Sequence, residues 1–146
     1  MFEERPPYTL SDDKARLDVA AIHCFLSEES YWARGIPREL VERSIANSLC
    51  LGVYHGAEQA AFLRVVTDYA TFAWICDVYV AVPHRKRGLS KWLMEAVLRH
   101  PELQGLRRRI LATRDAHELY KQFGFTPLAK PQNFLDIRAE NPYGGG

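Results

Sequence analysis

The chain has 146 residues, a formal net charge of +1 and 47% hydrophobic residues, which are ordinary values for one soluble globular domain. The balanced charge excludes a strong overall attraction to nucleic acid or to a membrane surface, so we expect neither as a partner. The N-terminal residues lack the apolar core of a signal peptide and no stretch reaches the length of a membrane span, which predicts a cytoplasmic protein. We expect one domain over residues 1–146 that frays at residues 1–7 and 141–146.

Strands and helices are predicted in an order typical of a mixed α/β domain. Alternating apolar residues mark strands, apolar residues three and four apart mark helices, and Pro37 suits the first turn of the second helix. In chain order we predict a strand at residues 8–11, helices at 14–27 and 37–47, strands at 49–54, 60–67 and 71–82, a helix after residue 88, a strand at 109–113, a helix at 116–125 and a strand at 134–137. This order, βααβββαβαβ, predicts an α/β (α+β) fold with one mixed sheet.

A cationic turn joins the long strand directly to the helix that follows it. The turn carries Arg85, Lys86, Arg87 and Lys91 around Gly88. The first backbone N–H groups of a helix have no internal partner and lie at the positive end of the helix dipole. Together with the cations, they predict a site for a phosphate or pyrophosphate group. The alternative is a solvated helix start whose charges only aid solubility.

The pattern Arg85-x-x-Gly88-x-Ser90 resembles the coenzyme A pyrophosphate loop of the GCN5-related N-acetyltransferase (GNAT) superfamily, with Ser90 in place of the usual final Gly or Ala. Residues 116–125 resemble the superfamily's second conserved block, in which a tyrosine, here Tyr120, lies beside the thioester sulfur. The chain is similar to small, single-domain, bacterial-type members. The resemblance implies the acyl-CoA N-acyltransferase fold, with two parallel strands splayed apart at the coenzyme site. It also implies acetyl-CoA as co-substrate and no metal.

The resemblance further implies which residues hold the coenzyme and which act on the acetyl group. Tyr120 is predicted to be the general acid that protonates the departing sulfur. Asp115 stands where an N-cap of the last helix is expected, and Gly124 where that helix should end. The predicted coenzyme-binding residues are Val78, Tyr79, Val80, Arg85, Lys86, Arg87, Gly88, Leu89, Ser90, Thr113 and Ala116. Family members often carry Asn at the position of Thr113.

Asp77 is the candidate general base because a carboxylate within an apolar strand needs a partner or a task. Strict alternation along the strand would place it on one face with Ala73, Ile75 and Tyr79. Two alternatives remain open. Asp77 could make a structural hydrogen bond to a neighbouring backbone group, or ordered water could relay the proton and leave no single base.

Tyr31 and Trp32 are the candidate acceptor-binding residues, because aromatic side chains in a polar-flanked loop commonly line small-molecule sites. A hydrophobic plug over the core is the alternative for this loop. The sequence thus predicts transfer of an acetyl group to the primary amine of a small-molecule or peptide acceptor, by a chain that could form a homodimer. The rival functions are a non-catalytic acyl-CoA sensor and a nucleic-acid-binding module that uses the basic turn.

The three cysteines, Cys24, Cys50 and Cys76, are widely spaced and lie in apolar runs. We therefore expect buried free thiols in a reducing compartment. Neither these residues nor the five histidines have the spacing of metal ligands. The sequence predicts no metal site.

Overall fold

One mixed sheet of six strands organises residues 1–144, the part of the chain that the computed structural model describes. The strands are β1 (Phe2–Arg5), β2 (Tyr8–Ser11), β3 (Leu49–His55), β4 (Glu58–Thr67), β5 (Phe72–Val80) and β6 (Arg108–Leu111), and they lie across the sheet in this order. Neighbours from β1 to β5 run antiparallel, whereas β5 and β6 run parallel. The prediction of a mixed α/β sheet is confirmed.

Helices cover both faces of this sheet. They are α1 (Val19–Cys24), α2 (Arg38–Ala46), α3 (Leu89–Arg99) and α4 (His117–Lys121). On one face α3 buries Trp92, Leu93 and Val97 against the strands. On the other face Ile22 of α1 and Val41 of α2 belong to a second buried cluster. The sheet therefore separates two apolar cores, and no helix within residues 1–144 is long and apolar enough to cross a membrane.

The single helix predicted at residues 14–27 is divided. A 3-10 turn at Lys14–Arg16 comes first, α1 begins after Asp18, and one π-helical turn at Phe25–Glu29 follows α1. The Asp18 carboxylate accepts a hydrogen bond from the backbone N–H of Ala21 at 3.0 Å, which is the contact of a helix N-cap. Asp18 therefore starts a new helix inside the predicted one.

The expectation of a frayed N-terminus at residues 1–7 is wrong, because β1 pairs with β2 along its whole length. Side chains of α3 hold β1 in place. Trp92 Nε1 donates to the Glu3 carboxylate at 2.9 Å, and Arg5 pairs with Glu95 at 2.7 Å. These partners lie about 90 residues away along the chain, so no local pattern could reveal them.

The C-terminal strand predicted at residues 134–137 is also absent. These residues have no strand partner within the described chain, and Leu135 and Ile137 are 95% and 102% exposed. Residues 141–144 form turns, and residues 145 and 146, which were expected to fray with them, lie outside the described residues. The sheet consequently ends at β6, whose outer edge has no neighbouring strand in residues 1–144.

Candidate active site

A β-bulge in the middle of β5 sets the direction of Asp77. Phe62 pairs with Tyr79 and Arg64 with Cys76, so β5 holds one residue more than β4 in this interval. Asp77 has a φ of 54°, which only a few residue types adopt readily. A bulge of this kind reverses the alternation of side chains beyond it. The prediction of strict alternation is therefore wrong.

The bulge places Asp77 on the sheet face opposite α3, beside the loop between α1 and α2. Ile75 and Val78 both pack in the core under α3. Asp77 instead accepts a hydrogen bond from Trp32 Nε1 at 2.8 Å and one from Arg64 Nε at 2.7 Å. Both carboxylate oxygens are thus engaged, and Asp77 is 9% exposed. No pattern in the sequence indicated Arg64 as the partner of Asp77.

The loop between α1 and α2 spans from β5 to the turn that follows β6. Trp32 contacts β5 through Asp77, and the hydroxyl of the adjacent Tyr31 accepts a hydrogen bond from the backbone N–H of Arg114 at 3.1 Å. The Arg114 guanidinium lies 3.8 Å from the Tyr31 ring centroid, within cation–π range. Both aromatic side chains remain 42–45% exposed. The two candidate acceptor-binding residues therefore bridge the two parallel strands and still face solvent.

The parallel ladder between β5 and β6 is short. It runs from Phe72 paired with Arg108 to Ile75 paired with Leu111. β5 continues to Val80 with β4 as its neighbour on the other side. Within residues 1–144, no strand therefore pairs with the β6-facing edge of residues 76–80. Open backbone groups at this point are what the predicted splay of the two strands requires.

The cationic turn leads into α3 as predicted. Gly88 is the N-cap of α3, with a φ of 76°, and it supplies no side chain to cap the helix. The first N–H groups of α3 are therefore without a helical partner. A Cβ added at Gly88 would meet nothing within 4 Å, so the space above the helix start is open. Arg85, Lys86 and Arg87 are all exposed around it.

His84 anchors the beginning of this turn. The sequence analysis did not predict this role of His84. Its buried imidazole lies 2.9 Å from the hydroxyl of Tyr8 through Nδ1 and 2.9 Å from a carboxylate oxygen of Glu58 through Nε2. These partners lie on β2 and β4. Both ring nitrogens are satisfied when Nε2 carries the proton and donates it to Glu58, while the Tyr8 hydroxyl donates to Nδ1. The turn is thereby fastened to two strands one residue before Arg85.

Tyr120 lies on α4 and packs half-buried against the core under α3. Burial, aided by the nearby Tyr31 and Asp115, raises the pKa of its phenol above the ordinary value. The hydroxyl therefore keeps its proton at neutral pH. This is the protonation state that a general acid needs.

The other predicted coenzyme residues lie in three places: in the core, just before α4, and on β5 and the first turn of α3. Leu89 is buried in the core, and the Tyr79 hydroxyl accepts a hydrogen bond from Gln59 Nε2 at 3.0 Å. Both side chains therefore pack inside the protein. Thr113 Oγ1 accepts from the backbone N–H of Ala116 at 3.1 Å. Ala116 is the N-cap residue of α4 and no side chain caps this helix, so the cap expected at Asp115 is absent. Val78 and Val80 lie on the open part of β5 and Ser90 in the first turn of α3.

The cysteines carry no reactive site. All three thiols are free, as expected, but Cys24 is exposed and not buried. Burial raises the pKa of Cys50 to about 11 and that of Cys76 to about 12, so neither forms a thiolate at neutral pH. Within residues 1–144, no three His, Cys, Asp or Glu side chains are grouped as metal ligands.

Two depressions flank these elements. A cavity of about 300 Å³ lies between the Pro6-Pro7 turn and the start of α3, where Arg87 and Gly88 contribute to its wall. A larger groove of about 670 Å³ runs along β6 and includes Tyr120 in its lining. The larger groove thus borders the predicted acid and not the cationic turn.

The family assignment follows from comparison with known proteins. A family model described as "Acetyltransferase (GNAT) family" matches residues 42–125, more than half of the chain. The chain belongs to the GNAT acetyltransferase family. The matched residues include the β5 bulge, the cationic turn, α3 and Tyr120. The resemblance read from the sequence is therefore confirmed, and the GNAT family uses acetyl-CoA as its acyl donor.

This GNAT protein is similar in sequence to two known proteins and shares its fold with a third. A GNAT-family protein of Xanthomonas campestris pv. campestris, named as a candidate acetyltransferase, is 48% identical, with 97% of this chain and 100% of that chain covered at a TM-score of 0.93. A candidate acetyltransferase of Gibberella zeae is 30% identical over 80% of this chain and 77% of that protein. A protein of Clostridium acetobutylicum named as a candidate acetyltransferase, whose crystal structure includes acetyl-CoA, shares the fold at 14% identity, with a TM-score of 0.65 and coverage of 94% and 96%.

Proposed function

We propose that this GNAT protein transfers an acetyl group from acetyl-CoA to a primary amine of a small-molecule or peptide acceptor by direct attack. The observation that carries the proposal is the bridge made by the loop between α1 and α2. Trp32 and Tyr31 span the two parallel strands beside the end of their ladder, and both remain exposed. An aromatic wall next to an open strand edge suits an acceptor that must meet the acetyl group there.

The residues around the cationic turn fit coenzyme A. The unpartnered N–H groups at the start of α3 and the cations Arg85, Lys86 and Arg87 would hold the pyrophosphate. Gly88 leaves the approach open, since even a Cβ there would touch nothing. The backbone of β5 around Val78 would bind the amide groups of the pantetheine arm, next to the Val80 carbonyl, which accepts a hydrogen bond from Arg85 Nε at 3.1 Å. Acetyl-CoA supplies an activated thioester, which is the chemistry that the protein's own side chains lack.

Tyr120 would give its proton to the departing sulfur, because its raised pKa keeps the phenol protonated. A backbone N–H near Val78 would support the acetyl oxygen as negative charge develops. The role of Asp77 as the general base stays a prediction. Because Arg64 and Trp32 already occupy its oxygens, we propose that Asp77 mainly holds the Trp32 indole in place and that water carries the amine proton away.

A thiol-release assay with acetyl-CoA and a panel of metabolite, polyamine and peptide amines tests the proposed activity, with calorimetry measuring acetyl-CoA binding. We expect micromolar binding and amine-dependent release of coenzyme A. Binding without turnover on every amine class would instead support the non-catalytic sensor. Absence of acetyl-CoA binding would end the proposal.

A further inference from the structure

The sheet face opposite α3 is covered by helices over only part of its area. The core cluster of α1 and α2 reaches Phe62 and Tyr79 on this face. Further toward the start of β5, Val66 and Trp74 are cross-strand partners, and each is 37% exposed. Both point away from α3, because the adjacent Val65 packs in the core under α3 and neighbours along a strand alternate between faces. An apolar surface is therefore open where α1 and α2 leave the sheet uncovered.

This open surface continues to the candidate acceptor-binding residues. Asp77, on the same face, lies three residues beyond Trp74, or about 10 Å along β5, and accepts the hydrogen bond from the Trp32 indole. The Trp32 and Tyr31 rings are 5.0 Å apart between centroids, edge to face. The ladder between β5 and β6 ends at Ile75, between Trp74 and Asp77. Aromatic side chains thus flank the place where the two parallel strands stop pairing.

One cation beside these rings lacks a counter-charge. The Arg114 guanidinium lies 3.8 Å from the centroid of the Tyr31 ring. In the part of the chain that the structure describes, no carboxylate forms an ion pair with it, not even that of the adjacent Asp115. The Asp77 carboxylate, by contrast, is already paired with Arg64 at 2.7 Å. Arg114 is therefore available to the carboxylate of an acceptor, whereas Asp77 is not available to a second ammonium group.

Tyr31 also connects this cation to the predicted acid. Burial raises the pKa of Tyr120, and the nearby Tyr31 and Asp115 raise it further. A carboxylate bound by Arg114 would therefore lie close to the reacting thioester. In an α-amino acid the carboxylate and the amine share one carbon atom. This short separation suits a free amino acid better than a peptide, whose terminal carboxylate is several bonds further from its amine.

We propose that the acceptor is a free α-amino acid with a large apolar side chain, and that Arg114 and Trp74 determine this specificity. The inference rests on the proposed acetyl transfer. Arg114 would bind the carboxylate, and the open surface at Trp74 and Trp32 would bind the side chain. This pairing of an apolar group with an anionic one is complementary to the aromatic rings and the free cation of the site.

The transfer itself forms one bond and breaks one. The amine nitrogen attacks the acetyl carbon, and the carbon–sulfur bond of the thioester breaks. The sulfur takes the proton of Tyr120, water takes the proton that the amine loses, and solvent returns a proton to Tyr120. The products are an N-acetylamino acid and coenzyme A.

The experiment measures thiol release from acetyl-CoA with three related amines. They are L-phenylalanine, L-phenylalaninamide, which lacks the carboxylate, and glycine, which lacks the apolar side chain. We expect kcat/KM for phenylalanine to exceed that for each of the other two by at least about 10-fold. Spermidine and a tripeptide that begins with phenylalanine represent other classes of acceptor, and both should be poorer substrates than phenylalanine.

Variants separate the two contacts. Arg114→Gln should abolish the preference for phenylalanine over phenylalaninamide, and Arg114→Lys should retain part of it because the positive charge remains. Arg43→Gln, on the exposed side of α2, is the matched control and should keep the preference. Trp74→Ser should lower the preference for phenylalanine over glycine by about 10-fold. Its control is Phe2→Ser, which removes an exposed aromatic side chain from β1 at the far edge of the sheet.

Calorimetry of phenylalanine with the coenzyme A complex distinguishes this inference from the proposed function. Binding of phenylalanine without turnover of any amine would refute the acetyl transfer and support the amino acid site. Turnover in which phenylalaninamide, spermidine or the tripeptide equals phenylalanine would overturn the inference and leave the proposed function standing. The inference is also wrong if phenylalanine does not bind, or if Arg114→Gln and Trp74→Ser keep the wild-type preferences.

Discussion

Trp32 Nε1 donates a hydrogen bond to Asp77 Oδ1 at 2.8 Å and thereby ties the loop between α1 and α2 to the bulge of β5. The second oxygen of Asp77 accepts from Arg64, whose other donor reaches Ser48 Oγ at 3.1 Å. Asp77 thus holds an exposed aromatic residue at the point where β5 and β6 stop pairing. Its removal should alter acceptor binding and stability together.

Asp77→Asn should keep the positive φ at little cost, because Asn tolerates this conformation, but it leaves the Arg64 guanidinium without its counter-charge. We expect a loss of about 1–3 kcal/mol in the free energy of unfolding, measured in urea. We also expect a higher KM for the amine, unchanged acetyl-CoA affinity and an unchanged shape of the pH–rate profile. A large loss of kcat at neutral pH that recovers at high pH would instead establish Asp77 as the general base.

Tyr120→Phe should lower kcat by about 10²- to 10⁴-fold, the range typical of general acid catalysis, and leave the dissociation constant of acetyl-CoA unchanged. Because burial raises the pKa of Tyr120, the wild-type rate should show no loss from its deprotonation below about pH 10. Tyr69→Phe, in the exposed turn between β4 and β5, is the control and should leave kcat and acetyl-CoA affinity unchanged. Wild-type kcat in the Tyr120 variant, with chemistry rate-limiting, would reduce Tyr120 to a packing residue.

Gly88→Trp should abolish acetyl-CoA binding, because the new side chain occupies the open space above the start of α3. Arg87→Glu should weaken binding in a salt-dependent way. Gly105→Trp is the matched control, since Gly105 has a φ of 77° against 76° for Gly88 and equally open surroundings. It carries the same backbone strain, and calorimetry should show unchanged affinity. If both turn variants bind acetyl-CoA with unaltered affinity, the cationic turn is not the pyrophosphate-binding site.

His84→Ala should loosen the attachment of the cationic turn to β2 and β4, because Tyr8 and Glu58 lose their shared partner. We expect a higher KM for acetyl-CoA with little change in kcat, and no change for S-acetylpantetheine, which lacks the pyrophosphate. His55→Ala is the control, since the exposed His55 ring packs beside Tyr8 and His84, at 5.5 Å and 5.8 Å between ring centroids, without the two side-chain hydrogen bonds of His84. Equal losses with both acyl donors would mean that His84 supports the fold in general and not this turn.

The thiols of Cys50, which is buried, and Cys76, which is half-buried, should make the fold sensitive to alkali. Cys50 and Cys76 keep their protons in the folded state because burial raises their pKa to about 11 and about 12, whereas unfolded thiols titrate near pH 8.5. The unfolded state therefore gains from deprotonation as the pH rises. The stabilisation is complete below about pH 8.5 and should fall by up to about 1.4 kcal/mol per pH unit for each thiol.

Urea unfolding between about pH 8.5 and 10, below the titration of the tyrosines, measures this slope. Cys50→Ala and Cys76→Ala should each make the decline shallower, and by more than Cys24→Ala, since Cys24 is exposed and its pKa is raised mainly by its hydrogen bond to Glu28. A decline that none of the three substitutions changes would assign the alkaline sensitivity to other groups.

The sequence by itself determined the elements whose causes are local. The cations, Gly88 and the helical spacing after it lie within a dozen residues, so the turn and α3 could be predicted as local structure. Tyr120 lies on the predicted short helix and Gly124 has the predicted positive φ, at 91°, but the helix ends at Lys121 and does not reach Gly124. Neighbouring residues sufficed for each of these predictions.

Only the tertiary structure decided the features that depend on distant partners. The direction of Asp77 follows from the register between β4 and β5, since one extra residue in β5 reverses the alternation. The ordered β1 depends on Trp92 and Glu95 of α3. Residues 134–137 have the alternating pattern of a strand, but a strand forms only where it can pair with the edge of a neighbouring strand. Pairing is a property of two segments, and one segment's sequence cannot specify whether the second is within reach.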